Sequence, residues 1–427
     1  MSFVTSEAAT AIATDKARSS TTITPLGSRE AEVIVVGAGA VGLLTALKLG
    51  RAGVDTIVLE AYNSILEAPR AIAYMPVVSQ ELRKLGIFEK LQAQGIMNTD
   101  GVTWRDIAGT PLAAFPAAEH VLTLGQDKVA RAVLDTIRDE CPSVTVIFGQ
   151  RCVGLEQQEG RVRVLTNSNE DDYEFSATYV VGCDGANSAV RRMSLIRFDG
   201  FTWRNFRFTA ADVEYDFQKH CGLPVANFVV DTEDWAVIAK TGRENVWRVC
   251  YGERPHLPAD EASIRQRSDA RIRRWIGNMN RDGDTAYALR RLKPYWAHQR
   301  CADVYRKGNV LLAGDAAHSN NPVGGLGLTS GILDAVVVGN ALVRHLRGGE
   351  PDAVLTAAVA ARRDTWVRVS NPVSQQNFRR LCSAETADAA ERDAFFGRLN
   401  SADPEFLAML ANHAMLLPDS FESAAPA

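Results

Sequence analysis

The chain has 427 residues, of which 46% are hydrophobic and 23% charged. That balance excludes wholesale disorder, a collagen-like fibre and a disulfide-stapled miniprotein. Lys and Arg number 47 against 51 Asp and Glu, a formal charge of −4, so no global field favours nucleic acid or an anionic membrane. At ~150 residues per domain the length predicts two or three domains. Cysteines stand at 141, 152, 183, 221, 250, 301 and 382, an odd number with no C-x-x-C. This pattern predicts reduced thiols in the cytoplasm and no metal site.

Residues 1–30 are rich in Ser, Thr and Ala and predict a flexible tail; Glu7, Asp15 and Glu30 argue against a transit peptide. Order is expected to begin near Glu32. Val33–Val36 reads as a strand buried on both faces, Gly37–Gly42 as a glycine turn, Leu43–Arg51 as a helix and Thr56–Glu60 as the next strand. The apolar run Val33–Leu47 has 15 residues, too short for a membrane span, which needs ~20. Helical patterns follow at Val78–Leu85 and Val129–Glu140. Strand-like segments follow at Val144–Phe148, Val153–Gln157, Val162–Thr166, Tyr173–Ser176 and Tyr179–Gly182. Between Asn205 and Glu253 the alternation predicts an antiparallel sheet in an inserted domain. Asn309–Ala313 reads as a buried parallel strand, Gly331–Leu346 as a helix, and helices fill the rest to about Leu417.

Three blocks carry chemistry. Gly37-Ala38-Gly39-Ala40-Val41-Gly42 fits G-x-G-x-x-G between a buried strand and a helix. The glycines let the backbone approach a pyrophosphate, and the helix N-terminus offers unpaired N–H groups and a positive dipole end. Glu60, 18 residues beyond Gly42, is placed to accept hydrogen bonds from a ribose. A glycine-rich structural turn is the competing reading. Gly325–Gly331 has the wrong glycine spacing for a second fingerprint, so one permanent dinucleotide site is expected. The second block is Tyr179–Arg191, with Asp184-Gly185 after a strand. The third is Asn309–His318, with Gly314-Asp315 after a strand, continuing through Pro322 and Gly324–Gly327 to Asp334.

These blocks, in this order, resemble the group A flavoprotein monooxygenases, the para-hydroxybenzoate hydroxylase-like family, over roughly Glu32 to Leu346. Within it, Ala71–Pro76 is most similar to the single-component para-nitrophenol monooxygenases and to related fungal tailoring enzymes. The resemblance implies an α/β fold: a Rossmann-like FAD-binding domain, an interleaved antiparallel-sheet substrate domain and C-terminal helices. The expected boundaries are 31–72, 119–195 and 300–346 for the FAD-binding domain. Those for the substrate domain are 73–118 and 196–299, and 347–427 form the C-terminal helical region.

The resemblance further implies FAD as cofactor, NADPH or NADH as co-substrate, and dioxygen. It implies hydroxylation of a phenolic or other electron-rich aromatic substrate through a flavin hydroperoxide. Epoxidation or oxidative rearrangement on the same fold is the alternative, and a non-catalytic flavin protein a third reading. Flavin contacts are expected at Gly37, Gly39, Gly42, Glu60, Arg70, Ala71, Gln126, Asp184, Asp315, Gly325, Gly327 and Leu328. For Asp184 an Asx-turn, for Asp315 a helix cap and for Arg70 a solvated loop position are the structural alternatives. Pro322 is expected to border the reacting edge of the flavin. Tyr74, Arg248 and Tyr251, with Trp235 and more remotely His220, are pocket candidates, and for each aromatic among them core packing is the favoured reading. His318 is assigned a structural role. Thr329 stands where the family often has Asn, which predicts an altered hydrogen bond. No nucleic acid or membrane span is expected, and the chain leaves room for a homodimer.

Overall fold

The computed structural model describes residues 29–116, 121–158, 160–168 and 171–412. The helix end near Leu417 and residues 1–28 of the expected flexible tail lie outside these residues; its last two, Arg29 and Glu30, belong to the first strand. The first strand, Arg29–Val36, starts slightly before the expected Glu32. It sits in the middle of a sheet ordered Arg306–Lys307, Val310–Leu312, Asp171–Gly182, Arg29–Val36, Thr56–Leu59, Val144–Ile147. All but the first of these strands run parallel. Such strands are covered on both faces, which is why they read as continuous β-branched runs rather than alternating ones. Helices Ala40–Arg51, Gln126–Glu140 and Leu326–Leu346 share the main hydrophobic core with the sheet. The two segments expected at Tyr173–Ser176 and Tyr179–Gly182 are one strand, Asp171–Gly182.

A second sheet of seven strands is mostly antiparallel. Its order is Ala288–Tyr295, Arg207–Glu214, Val246–Glu253, Ala236–Arg243, Ala226–Val229, Val102–Arg105, Pro111–Phe115. One face packs on the helix Glu261–Met279. The sequence reading missed this helix, although Ile264, Ser268, Ile272, Trp275, Ile276 and Met279 form a clear buried stripe. Five arginines between Arg265 and Arg274 masked the stripe. The opposite face carries Phe208, Trp235 and Cys250, and it clusters with Val323 and with Phe378 of the C-terminal helix Asn371–Cys382.

The helix expected from Gly331 starts five residues earlier, at Leu326. Gly327 and Gly331 look like helix breakers in sequence. In space a Cβ on Gly331 would lie 3.2 Å from the Gly314 Cα, so this position is kept small by close packing. Leu326–Leu346 is also long and apolar enough to cross a membrane by composition, but most of it is buried inside the protein and it carries the buried Asp334.

Trp275 fills the core between the long helix and the sheet and is 1% exposed. Trp275→Ala is expected to destabilise the protein by about 3–5 kcal/mol, read as a lowered Tm in thermal unfolding.

Candidate functional site

The parallel strands end in register. Val36 pairs with both Gly182 and Leu59, and Gly182 pairs with Leu312. Gly37, Glu60, Asp184 and Asp315 all lie within three residues of that row. Main-chain bonds lock the turns together: Gly37 N–H donates to Leu59 O, Cys183 N–H to Val36 O, and Ala313 N–H to Gly182 O. Gly37 has φ +107°, and a Cβ there would lie 2.5 Å from Cys183 O and 3.1 Å from the Asp184 Cα. Only glycine lets the first and second motifs approach this closely. The chain order switches direction between Arg29–Val36 and Asp171–Gly182, and such a switch point opens a crevice at the carboxyl ends of the strands.

The crevice suits a dinucleotide. Gly39 is exposed, a Cβ on it would meet nothing within 4 Å, and no side chain caps the helix that starts at Ala40. Its first-turn N–H groups are therefore left without a side-chain partner among the described residues, as binding of a pyrophosphate requires. A Cβ on Gly42, by contrast, would overlap the Gly37 carbonyl oxygen. Glu60 is half-buried and accepts from Ala38 N–H (2.7 Å) and Tyr62 N–H (2.9 Å). Its carboxylate thus fixes the glycine turn and retains lone pairs for a ribose.

Asp184 Oδ2 accepts from the N–H of Ala189 and of Val190, five and six residues on, so this oxygen holds the start of the Ala189–Met193 helix and forms no Asx-turn. Its Oδ1 is buried without a partner among the described residues. Asp315 caps nothing: Ala313 occupies the cap position of its turn. The Asp315 side chain is reachable by solvent but sits deep in the crevice with protein crowded around it, and it makes no hydrogen bond with a described residue. Desolvation by the surrounding protein holds its carboxyl above the ordinary range, against the pull of His318 and Arg70. Arg191, which the sequence reading passed over, donates to Ala316 O and to Ala186 O and so staples the second and third motifs.

The far side of the crevice is built from the loop at 69–72. Gln126 N–H donates to Pro69 O and Ala71 O, and Leu124 N–H donates to Ile72 O. Arg70 adopts φ +38°, and its carbonyl accepts from Arg248 Nη1 at 2.8 Å, while Arg248 Nε donates to Asp212 at 2.7 Å. The second sheet thereby holds a strained loop residue in place. Ala73 Cβ and Met75 Cε lie 3.6 and 3.3 Å from where a Cβ on Gly325 would sit. Gly325 opens the Leu326–Leu346 helix with no side-chain cap, so this second helix terminus also faces the crevice. Leu328 is buried in that helix, Gly327 is half-buried, and the Thr329 hydroxyl donates to Gly325 O. The exposed Pro322 lies at the crevice beside Val323.

Two expected pocket residues point elsewhere. Tyr74 is fully buried in the main core, its hydroxyl without a partner among the described residues, while its neighbours Ala73 and Met75 face the crevice. Tyr251 hydrogen-bonds Ser268 on the long-helix side of its sheet. Side chains alternate along a strand, so Arg248 and Cys250 face the crevice side and Tyr251 does not. Trp235 packs among Phe206, Phe208 and Phe378 as core. His220 pairs with Asp282 and stacks on Tyr215, beside the end of the long helix. Sequence missed Tyr295, whose hydroxyl lies 3.5 Å from Cys250 Sγ and whose ring packs on Phe208. Burial pushes the Tyr295 phenol well up.

Gly39→Ala is expected to leave the Tm of the FAD-free protein unchanged and to weaken FAD binding at least tenfold. Gly42→Ala is expected to lower that Tm; flavin fluorescence titration and thermal unfolding check the pair. Asp315→Asn removes a carboxylate that folding desolvates. A raised folded-state pKa means the ionised form opposes folding. The variant without FAD is therefore expected to have the higher Tm at neutral pH, with the difference vanishing as pH falls below the carboxylate range. Thermal unfolding across pH checks this.

Residues 30–371 match the FAD binding domain family. The chain is 36% identical over 371 residues to the para-nitrophenol 4-monooxygenase of Pseudomonas sp. (strain WBC-3), covering 85% of this chain and 90% of that protein. It is 33% identical over 363 residues to the 6-hydroxy-3-succinoylpyridine 3-monooxygenase HspB of Pseudomonas putida (strain DSM 28022 / S16), covering 83% and 90%. The crystal structure of p-nitrophenol 4-monooxygenase PnpA from Pseudomonas putida DLL-E4 superposes with a TM-score of 0.85 at 34% identity, over 92% of this chain and 99% of that one. The chain belongs to the FAD binding domain family and is an FAD-dependent aromatic monooxygenase.

Proposed function

We propose that the chain hydroxylates a small phenolic or similarly electron-rich ring, with NADPH or NADH as reductant and dioxygen as oxidant. The observation that carries this reading is the aromatic face of the second sheet, which meets Val323 of the cofactor loop in one cluster. Phe208, Phe228, Val237 and Tyr295 give that face an apolar wall, and Arg248, Cys250 and Tyr295 give it a polar end. Ligand pockets combine such walls with a few convergent polar groups.

Bound FAD supplies two-electron exchange with the nicotinamide and activation of dioxygen. The chain's tasks are to hold it, orient the ring and exclude water. In this reading Gly37, Gly39 and Gly42 receive the pyrophosphate, with Asp184 alongside, and Glu60 takes the ribose. Asp315 and Gln126 reach the ribityl chain, and Arg70 and Ala71 flank the flavin ring. Gly325, Gly327 and Leu328 line its pyrimidine edge, where the open helix terminus favours the negative charge of the reduced state. Pro322 and Val323 border the reacting edge. Segments 31–72, 119–195 and 300–346 hold the cofactor and 196–299 the substrate; the expected 73–118 segment divides, with Tyr74–Leu91 packed in the main core and Val102–Phe115 in the second sheet.

A phenol reacts faster as its phenolate. The Arg248 guanidinium and the Tyr295 hydroxyl are the groups proposed to receive the substrate oxygen and favour its ionised form. The paired Asp212 keeps Arg248 aimed at the loop.

Purified protein is expected to be yellow and to consume NAD(P)H and oxygen faster with a suitable phenol, giving a product heavier by one oxygen. Tyr295→Phe is expected to raise KM about three- to tenfold, through a lost hydrogen bond, with FAD retained. Steady-state kinetics over a phenol panel, with product mass, test this. An unchanged KM in that variant contradicts the assigned pocket, and no acceleration by any phenol contradicts the substrate class.

A further inference from the structure

Beneath the Gly314–Asp315 turn lies a charged cluster that the reading above leaves without a task. Asp334, on the Leu326–Leu346 helix, is 1% exposed. Its Oδ2 accepts from Gly314 N–H at 2.9 Å and lies 2.6 Å from His318 Nε2. Its Oδ1 accepts from Arg362 Nε at 2.8 Å. Arg362 is equally buried and also donates to Ser330 O. It comes from helix Ala353–Thr365, outside the three sequence blocks. His318 is fully buried, flanked by the rings of Trp366 and Tyr305, and its Nδ1 has no partner among the described residues.

A buried ion pair is weak evidence for stability, because apolar residues of equal volume often serve as well. An apolar pair could not do what Asp334 does here. One carboxylate oxygen clasps both ends of the five-residue turn from Gly314 to His318, and Asp315 is the second residue of that turn. Gly314 has φ +62°, and its N–H is one of the two groups clasped. The turn itself has only a short 3-10 segment, Gly314–Ala316, to stiffen it. The carboxylate must stay ionised to accept from both ends and from the guanidinium at once. His318 and Arg362 keep its pKa low despite burial.

We propose that Asp334 is a positioning residue for FAD binding: it holds the turn that aims Asp315 into the crevice, and Arg362 is its counter-charge. The inference rests on the reading of Asp315 as a flavin contact. It makes the Ala353–Thr365 helix part of the cofactor machinery without touching the cofactor.

The test follows FAD release from the holoenzyme on dilution, by recovery of flavin fluorescence, together with Tm at saturating FAD. The paired variant Asp334→Leu with Arg362→Met removes both charges and leaves none buried alone. It is expected to keep a Tm near that of the parent and to release FAD with a Kd about tenfold higher. Asp315→Ala is expected to raise Kd similarly. The triple variant is expected to be no worse than Asp315→Ala alone, because both changes act on one contact. A wild-type Kd in the paired variant, or fully additive effects, overturns the proposal. If Asp315→Ala itself leaves Kd unchanged, the reading of Asp315 falls and this inference with it. If the paired variant does not fold, Asp334→Asn through the same cycle decides: it keeps the volume but turns one acceptor into a donor, and a Kd within twofold of wild type overturns the proposal.

Discussion

The site depends on one alignment, the row formed by Val36, Leu59, Gly182 and Leu312 at the carboxyl ends of four parallel strands. Parallel pairing in register forces the turns that follow to emerge side by side. Once they do, the first two turns crowd so closely that only glycine fits at 37, while Gly314 is called for by its φ of +62°. The strand ends gather two helix starts without side-chain caps and the carboxylates of Glu60, Asp184 and Asp315 in one place. The chemistry at the crevice is thus a by-product of how the sheet closes.

The second sheet contributes through few, specific contacts. Arg248 crosses to the carbonyl of Arg70 and fixes a backbone conformation that a free loop would leave. Val323 reaches back into the aromatic face of that sheet. The helix Asn371–Cys382 closes the third side, with Phe378 packed on Phe208 and Trp235. Cofactor loop, aromatic wall and C-terminal helix therefore share one cluster, and a change in any of them reaches the space where a ring would lie.

Much of this was legible in the chain. The strand–glycine–helix–strand order, Glu60 and the two Asp motifs are local patterns whose spacing is set by backbone geometry, so sequence carries them. For Tyr74 and Tyr251 the core reading was the favoured one and holds, but sequence could not exclude the pocket, because which face an aromatic takes depends on strand register and on the partner that covers it. Register also hid Tyr295, which joins the aromatic face of the second sheet from a segment with no motif. The Glu261–Met279 helix did leave a stripe of buried residues, but its arginines dominated the reading. Arg191 and Arg362 act through contacts 125 and 28 residues away, and no local pattern announces such partners.

The most direct test of the account is an electron-density map of the protein crystallised with FAD. The pyrophosphate is expected against Gly39, the ribityl chain beside Asp315, and the flavin ring between the Ala73–Met75 segment and the helix terminus at Gly325. A flavin seated away from the row of strand ends, with Gly39 and Asp315 still facing solvent, would contradict it.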